Sequence, residues 1–192
     1  GLGLSTSKAA LSEAPVIGEI SPSNLVIWLK RGANQVGVNP GDLASWSSTS
    51  PASFNFVQSR ANFKPTISGD EVTFNSSDPS HMSTSSGQEN LSQFTLMVVL
   101  NPDESASLNN EYIIGGSDDD MLQIYMSSDG TKVAMTMNGT TSSMGLSSAL
   151  PTGNNDFLFT ITRDASGNLT ARTNGTETAT GTSDINNLFD IF

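Results

Sequence analysis

The chain contains no cysteine, which removes disulfides, thiolate metal sites and cysteine nucleophiles together. Small secreted modules more often carry bridges, so this absence leans towards a bacterial or viral setting. Histidine is almost as scarce. His81 is the single one, lies in a Ser-rich stretch, and would need an acid or serine partner from afar to act as a base; it reads as a surface side chain. Basic residues are few, 8 Lys and Arg against 19 Asp and Glu, for a formal charge of −11. Such a surface repels phosphate backbones and shows no basic stripe, so nucleic acid is not expected as a partner. The acidity itself reads as colloidal solubility. No apolar run reaches the roughly 20 residues that span a bilayer, and Gly1-Leu2-Gly3-Leu4 is too short for the apolar core of a signal peptide. A soluble protein with no membrane partner is expected.

What is present is enough for one self-sufficient domain. A chain of 192 residues fits a single β-sandwich and buries roughly 70% of its unfolded surface without staples. Residues 1–21 differ from the rest. Lys8 to Ala14 has the composition of two helical turns stopped by Pro15, too short to be stable alone. Residues 1–21 therefore read as an N-terminal arm needing a partner surface, or as a frayed end. Val16, Ile17 and Ile20 are its candidate interface residues. Residues 22–192 form the sandwich domain.

In that domain the pattern is β throughout. Phe157, Phe159 and Ile161 recur at every second position, with Thr160, Thr162 and mixed neighbours on the other face, and Val133, Met135 and Met137 line up likewise, as do Leu122, Ile124 and Met126. Each set falls on one face by the two-residue period. Asn138-Gly139 and Asn174-Gly175 have the φ > 0 tolerance of tight hairpins, while Ser128-Asp129-Gly130 and Asp164 to Asn168 supply further turns. Strands about every ten residues with such punctuation predict an antiparallel sandwich. Phe94 to Leu100 is apolar on both faces, which predicts a centrally covered strand or an interface. Ser76 to Ser86 reads as a loop. The predicted core includes Trp28, Phe74, Phe94, Leu96, Val98, Phe157, Phe159 and Ile161.

The order of these elements carries more than any one of them. Leu25-Val26-Ile27-Trp28-Leu29 is followed by Leu43-Ala44-Ser45-Trp46, then Gln58, the basic-Pro pair Lys64-Pro65, Val72-Thr73-Phe74-Asn75, and Phe94-Thr95 with Val99 and Pro102. Ile113-Ile114-Gly115-Gly116 and Thr173-Asn174-Gly175 come later. Across residues 24 to 176 this resembles the laminin-G/concanavalin A-like jelly roll, in the subgroup found in phage and marine bacterial structural proteins. The chain departs from the pattern at Ser47-Ser48, where an acidic position is usual, and at Asp190-Ile191-Phe192, where a further closing strand is usual. One consequence would be an uncovered sheet edge, filled by Val16 to Ile20 of the same chain or, as favoured from sequence, by a neighbouring subunit.

The resemblance implies a non-enzymatic virion structural protein: a bacteriophage capsid decoration, collar or tail-associated subunit, assembled in the host cytoplasm as a homo-oligomer with other virion proteins. The alternative is a carbohydrate-binding module for host or environmental glycans. Glycosidases on related folds need two carboxylates roughly 5–9.5 Å apart in a cleft, and no Glu-x-Asp-x-Glu strand occurs. No catalytic residue and no cofactor is therefore expected. Asp118, Asp119 and Asp120 are the candidates for a metal, yet calcium needs six to eight oxygens from several directions, and a solvated acidic turn is the plainer reading. Trp46, among serines, is the candidate for stacking on a sugar; Trp28, inside an apolar run, reads as core. Five Asn-x-Ser/Thr sequons fit chance in a chain so rich in these residues.

Overall fold

The computed structural model describes residues 25–30, 32–38, 40–50, 54–69, 71–75, 80–84, 89–101, 111–117, 120–127, 130–145, 151, 155–187 and 189–191. Among these residues fifteen strands follow in chain order: β1 Gln35–Gly37, β2 Gly41–Ser47, β3 Asn55–Val57, β4 Thr66–Ser68, β5 Glu71–Thr73, β6 Glu89–Leu91, β7 Phe94–Leu100, β8 Glu111–Ser117, β9 Asp120–Ser127, β10 Gly130–Met137, β11 Thr140–Gly145, β12 Phe157–Arg163, β13 Asn168–Thr173, β14 Thr176–Thr182 and β15 Phe189–Ile191. One 3-10 turn, Ala61–Phe63, interrupts them. Among the described residues there is no α-helix, and every strand pairing is antiparallel.

Two four-stranded sheets make the main body, one ordered β11-β10-β9-β8 and the other β14-β13-β12-β7. The alternation read from sequence decides how they meet. Val133, Met135, Met137 and Met144 from the first sheet join Phe157, Phe159, Ile161, Leu169, Ala171 and Ala179 from the second in one buried cluster. A non-directional gain of roughly 25 cal/mol per Å² of apolar surface drives this contact. Phe94, Leu96, Val98 and Leu100 line its rim from β7. A third sheet runs β1-β2-β4-β5 with β3 also on β2, and β15 pairs with β6.

The turns follow the predicted chemistry. Asn138 and Gly139 have φ of 48° and 72°, and Asn174 and Gly175 have 50° and 82°, the double positive φ of a type I′ hairpin. Asn174 does more. Its Oδ1 accepts the Leu158 N–H at 2.9 Å and its own N–H donates to the Leu158 carbonyl at 2.8 Å, extending the ladder one residue beyond β13. In the β12–β13 turn, Asp164 Oδ1 accepts the N–H groups of Ser166 and Asn168, and Oδ2 accepts Asn168 Nδ2 at 2.8 Å. The Asn168 side-chain bond, then the backbone bonds, with a smaller contribution from the Arg163 charge, hold this carboxyl below its ordinary value. A depressed folded-state pKa adds stability above the unfolded-state value, and that stability is lost as pH falls through the folded value. Asp164→Asn should therefore flatten the acid limb of the unfolding-midpoint-versus-pH curve. An unchanged acid limb would show that the turn bonds do not depend on the charge.

Where the two main sheets meet at one side, β11 packs on β14. A Cβ on Gly181 would lie 2.7 Å from Met144 Cγ, and Met144 is fully buried. Gly181→Ala should cost about 1–3 kcal/mol by overpacking in urea titrations, and far less in a Met144→Ala background. Equal costs in the two backgrounds would place the strain elsewhere.

Several expectations are corrected. Leu25 to Leu29 belongs to no sheet. Two hydroxyls and one backbone bond hold it instead: the Trp28 N–H donates to Ser48 Oγ at 2.8 Å, Ser50 Oγ donates to the Val26 carbonyl, and the Thr49 N–H donates to the Trp28 carbonyl at 3.0 Å. Trp28 is half-buried, while Ile27 reaches the main core. Phe74 follows the last residue of the three-residue strand β5 and is 52% exposed, so it is not core. β7, read as central or at an interface, is among the described residues the end strand of its sheet, with half-buried and exposed residues alternating. Asp190 and Ile191, read as stopping short of a closing strand, lie in β15 opposite Asn90 and Glu89. Val16, Ile17 and Ile20, with the whole of residues 1–24, lie outside the described residues.

Candidate functional site

The outer face of the β7-β12-β13-β14 sheet is the surface most unlike the rest of this acidic chain. Because side chains alternate across a strand, burying Phe157, Phe159 and Ile161 turns Leu158, Thr160 and Thr162 outward. The register then sets straight rows. Thr95 faces Thr162, Thr162 faces Thr170, and Thr170 faces Thr180, so four threonines cross the whole sheet. The next row places Met97 beside Thr160 and Thr160 beside Arg172. Arg172 is opposite Glu177, and their ion pair measures 3.8 Å. The third row pairs Val99 with Leu158.

Val99 is 56% exposed, and Met97 and Leu158 are also exposed. These three adjoin one another on the β7–β12 half of the face. Glu177, the acid brought onto these rows, is matched by Arg172. In a chain of net charge −11, this is a near-neutral plane of hydroxyls with an apolar strip at one side. Like copies approaching here meet one exposed carboxylate beside the strip, Asp156, which accepts Asn101 Nδ2 at 3.1 Å.

The other sequence candidates are not brought to this face. Trp46, in β2, is half-buried between Gln35 and Phe56 on neighbouring strands. Its indole N–H donates to the Lys30 carbonyl at 3.1 Å, so the polar handle is committed to holding the chain. Asp118 and Asp119 lie outside the described residues, and Asp120 begins β9 opposite Ser117. Among the described residues no three His, Cys, Asp or Glu side chains converge as metal ligands. His81 is exposed, with its ring tilted against Phe63 at 5.6 Å, and its carbonyl accepts Gln58 Nε2.

Two features of the body escaped the sequence reading. The exposure of Met97, Val99 and Leu158 depends on which strand ends the sheet; the signal was the two-faced apolarity of Phe94 to Leu100. Arg163 was not singled out at all, yet it is almost fully buried. It ends the inward row Phe157-Phe159-Ile161, where its Nε donates to Ser183 Oγ at 2.8 Å and its terminal nitrogens donate to the Ser92 and Asp184 carbonyls.

No protein-family model matches the chain, and neither a curated protein nor a solved structure is significantly similar to it.

Proposed function

We propose that this chain is a non-enzymatic structural subunit of a virus particle, built on a laminin-G/concanavalin A-like jelly roll and associating with copies of itself. The observation that carries the reading is the near-neutral outer face of β7, β12, β13 and β14, with Met97, Val99 and Leu158 exposed on it. A surface of this kind on a strongly acidic protein suits self-association, because apolar area is buried while the charges elsewhere keep the assembly soluble. The resemblance to phage and marine bacterial structural proteins adds the virion, where a decoration, collar or tail-associated subunit would meet its neighbours. Mass spectrometry of purified particles should then detect the chain at a fixed ratio to the major capsid or tail protein. Its absence from washed particles in cells that express it would refute the virion assignment.

The second reading, a carbohydrate-binding module, draws on the hydroxyl row Thr95-Thr162-Thr170-Thr180 with Arg172 beside it. Such a row offers donors and acceptors to a flat polysaccharide. A glycan array separates the two readings: binding abolished by Thr162→Val and Arg172→Ala favours the module, and no binding favours the scaffold.

A further inference from the structure

We infer that the corner built from Arg60, Phe63, Lys64 and His81 is a docking site for a short acidic peptide segment, one or two carboxylates flanked by apolar side chains. The chain has only 8 Lys and Arg and one His, and three of those nine residues gather here. Gln58, buried just after β3, brings them together. Its Oε1 accepts the Arg60 N–H at 3.0 Å, and its Nε2 donates to the His81 carbonyl at 3.1 Å. The His81 N–H donates in turn to the Phe63 carbonyl at 3.0 Å. The Phe63 ring then meets both side chains: Arg60 Cζ lies 5.9 Å from its centroid, and the His81 ring 5.6 Å. Within about 6 Å a guanidinium is attracted to an aromatic ring, so the Arg60 fork is held in place. Arg60 and His81 are exposed, and Lys64, whose N–H closes the 3-10 turn on the Ala61 carbonyl, is half-buried. Among the described residues no carboxylate is ion-paired with Arg60 or Lys64.

The chemistry of the corner selects its occupant. A guanidinium fork matches a carboxylate through two parallel hydrogen bonds, and clustered basic side chains are a recurring way to recognise acidic motifs. An apolar neighbour is supplied by Phe74, which is 52% exposed. β4 and β5 pair at Thr66 and Thr73, so Pro65 and Phe74 leave the same end of that hairpin. Asn75 then bonds Ser80, the residue before His81. Charge decides between the acidic ligands. On a chain of −11, a continuous polyanion such as a nucleic acid or an acidic polysaccharide would run from the corner onto surface that repels it. Fields fade within about 8 Å at physiological salt. One or two carboxylates on an otherwise uncharged segment therefore meet only the local cations, while their apolar flanks cover Phe74. The corner is independent of the assembly face: none of its residues lies in β7, β12, β13 or β14.

His81 is the single histidine, so its imidazole C–H signal in proton NMR reports on this corner alone. The full chain is titrated with the blocked peptide Leu-Glu-Phe-Glu and with its uncharged counterpart Leu-Gln-Phe-Gln. A saturable shift of the His81 signal is expected with the acidic peptide only. Arg60→Gln, at an exposed position, should keep the melting temperature and weaken binding by about tenfold or more, the effect of losing one charge-assisted bond. Arg172→Gln, a cation of another sheet, should leave binding unchanged. No shift at millimolar acidic peptide would overturn the inference, as would an equal shift from the Gln peptide or equal weakening by Arg172→Gln. A galacturonate oligomer that shifts the signal at lower concentration than the acidic peptide would overturn the choice of a peptide.

Discussion

Phe159→Ala is expected to lower the stability of the domain by about 3–5 kcal/mol, the cost of removing a large aromatic from a packed core. Phe159 has no exposed surface and sits in the middle strand row, between Thr173 of β13 and Val98 of β7. Its ring faces the cluster that Val133, Met135 and Met137 bring from the opposite sheet, so the cavity would open at the contact between the two sheets. For a domain of this length each kcal/mol moves the midpoint by about 2–4 °C, so a fall on the order of 10 °C should appear in thermal melts. Phe159→Leu, which refills much of the space, should recover most of it. A melting temperature unmoved by Phe159→Ala would mean that the two sheets do not share this core.

Arg163→Ala should be as damaging for a different reason. The guanidinium stands at the end of the apolar row, 3% exposed, and its fork reaches three neutral oxygens: Ser183 Oγ and the carbonyls of Ser92 and Asp184. It thereby ties together β12, the turn before β7 and the segment after β14. Hydrogen bonds to charged groups are worth about 1.5–3 kcal/mol each. Removing the donor breaks all three bonds at once, so a total loss of about 3–5 kcal/mol is expected, less than the sum because the three bonds act as one unit. Arg163→Lys should recover only part, since an ammonium on a flexible stem does not match three partners placed for a planar fork. Ser183→Ala, which removes one partner, should cost far less. Chemical denaturation of the four proteins tests the ordering; a loss below about 1 kcal/mol for Arg163→Ala would show that water replaces the guanidinium without penalty.

What the sequence disclosed, and what it did not, follows from which interactions are local. The inward sets Phe157-Phe159-Ile161 and Val133-Met135-Met137 were readable because side-chain direction repeats every two residues whatever the partner strand. The hairpins at Asn138-Gly139 and Asn174-Gly175 were readable because positive φ is a property of the turn itself. Strand order is not local. Phe94 to Leu100 carries the same letters at the centre of a sheet or at its end, and only the pairing with Phe157–Arg163 makes it the end strand. Leu25 to Leu29 looked like a strand by composition, yet hydroxyls of Ser48 and Ser50 occupy polar groups that a ladder would use. Phe74 fell outside the core because β5 ends one residue before it. Arg163 was invisible for a related reason: its acceptors come from residues 92, 183 and 184, and no spacing in the chain announces them.

The candidate face shows the same division. Its threonines were legible as outward residues one strand at a time, but the row Thr95-Thr162-Thr170-Thr180 exists only through the registers of three pairings. Trp46 illustrates the converse. Its serine neighbours suggested a displayed ring, whereas the indole N–H is held by Lys30 across 16 residues of chain.

Sedimentation velocity of the native protein, run against Leu158→Asp and Val99→Asp over a range of protein and salt concentrations, tests the assembly face most directly. Both substitutions replace exposed side chains and should leave the melting temperature nearly unchanged. The native chain should associate as its concentration rises, and more strongly in added salt, because salt screens the repulsion between copies carrying −11 each. Either aspartate should hold it monomeric by placing an uncompensated charge on the neutral strip. A native protein that stays monomeric at every concentration and salt level, or one whose association the two aspartates leave unchanged, would contradict the account.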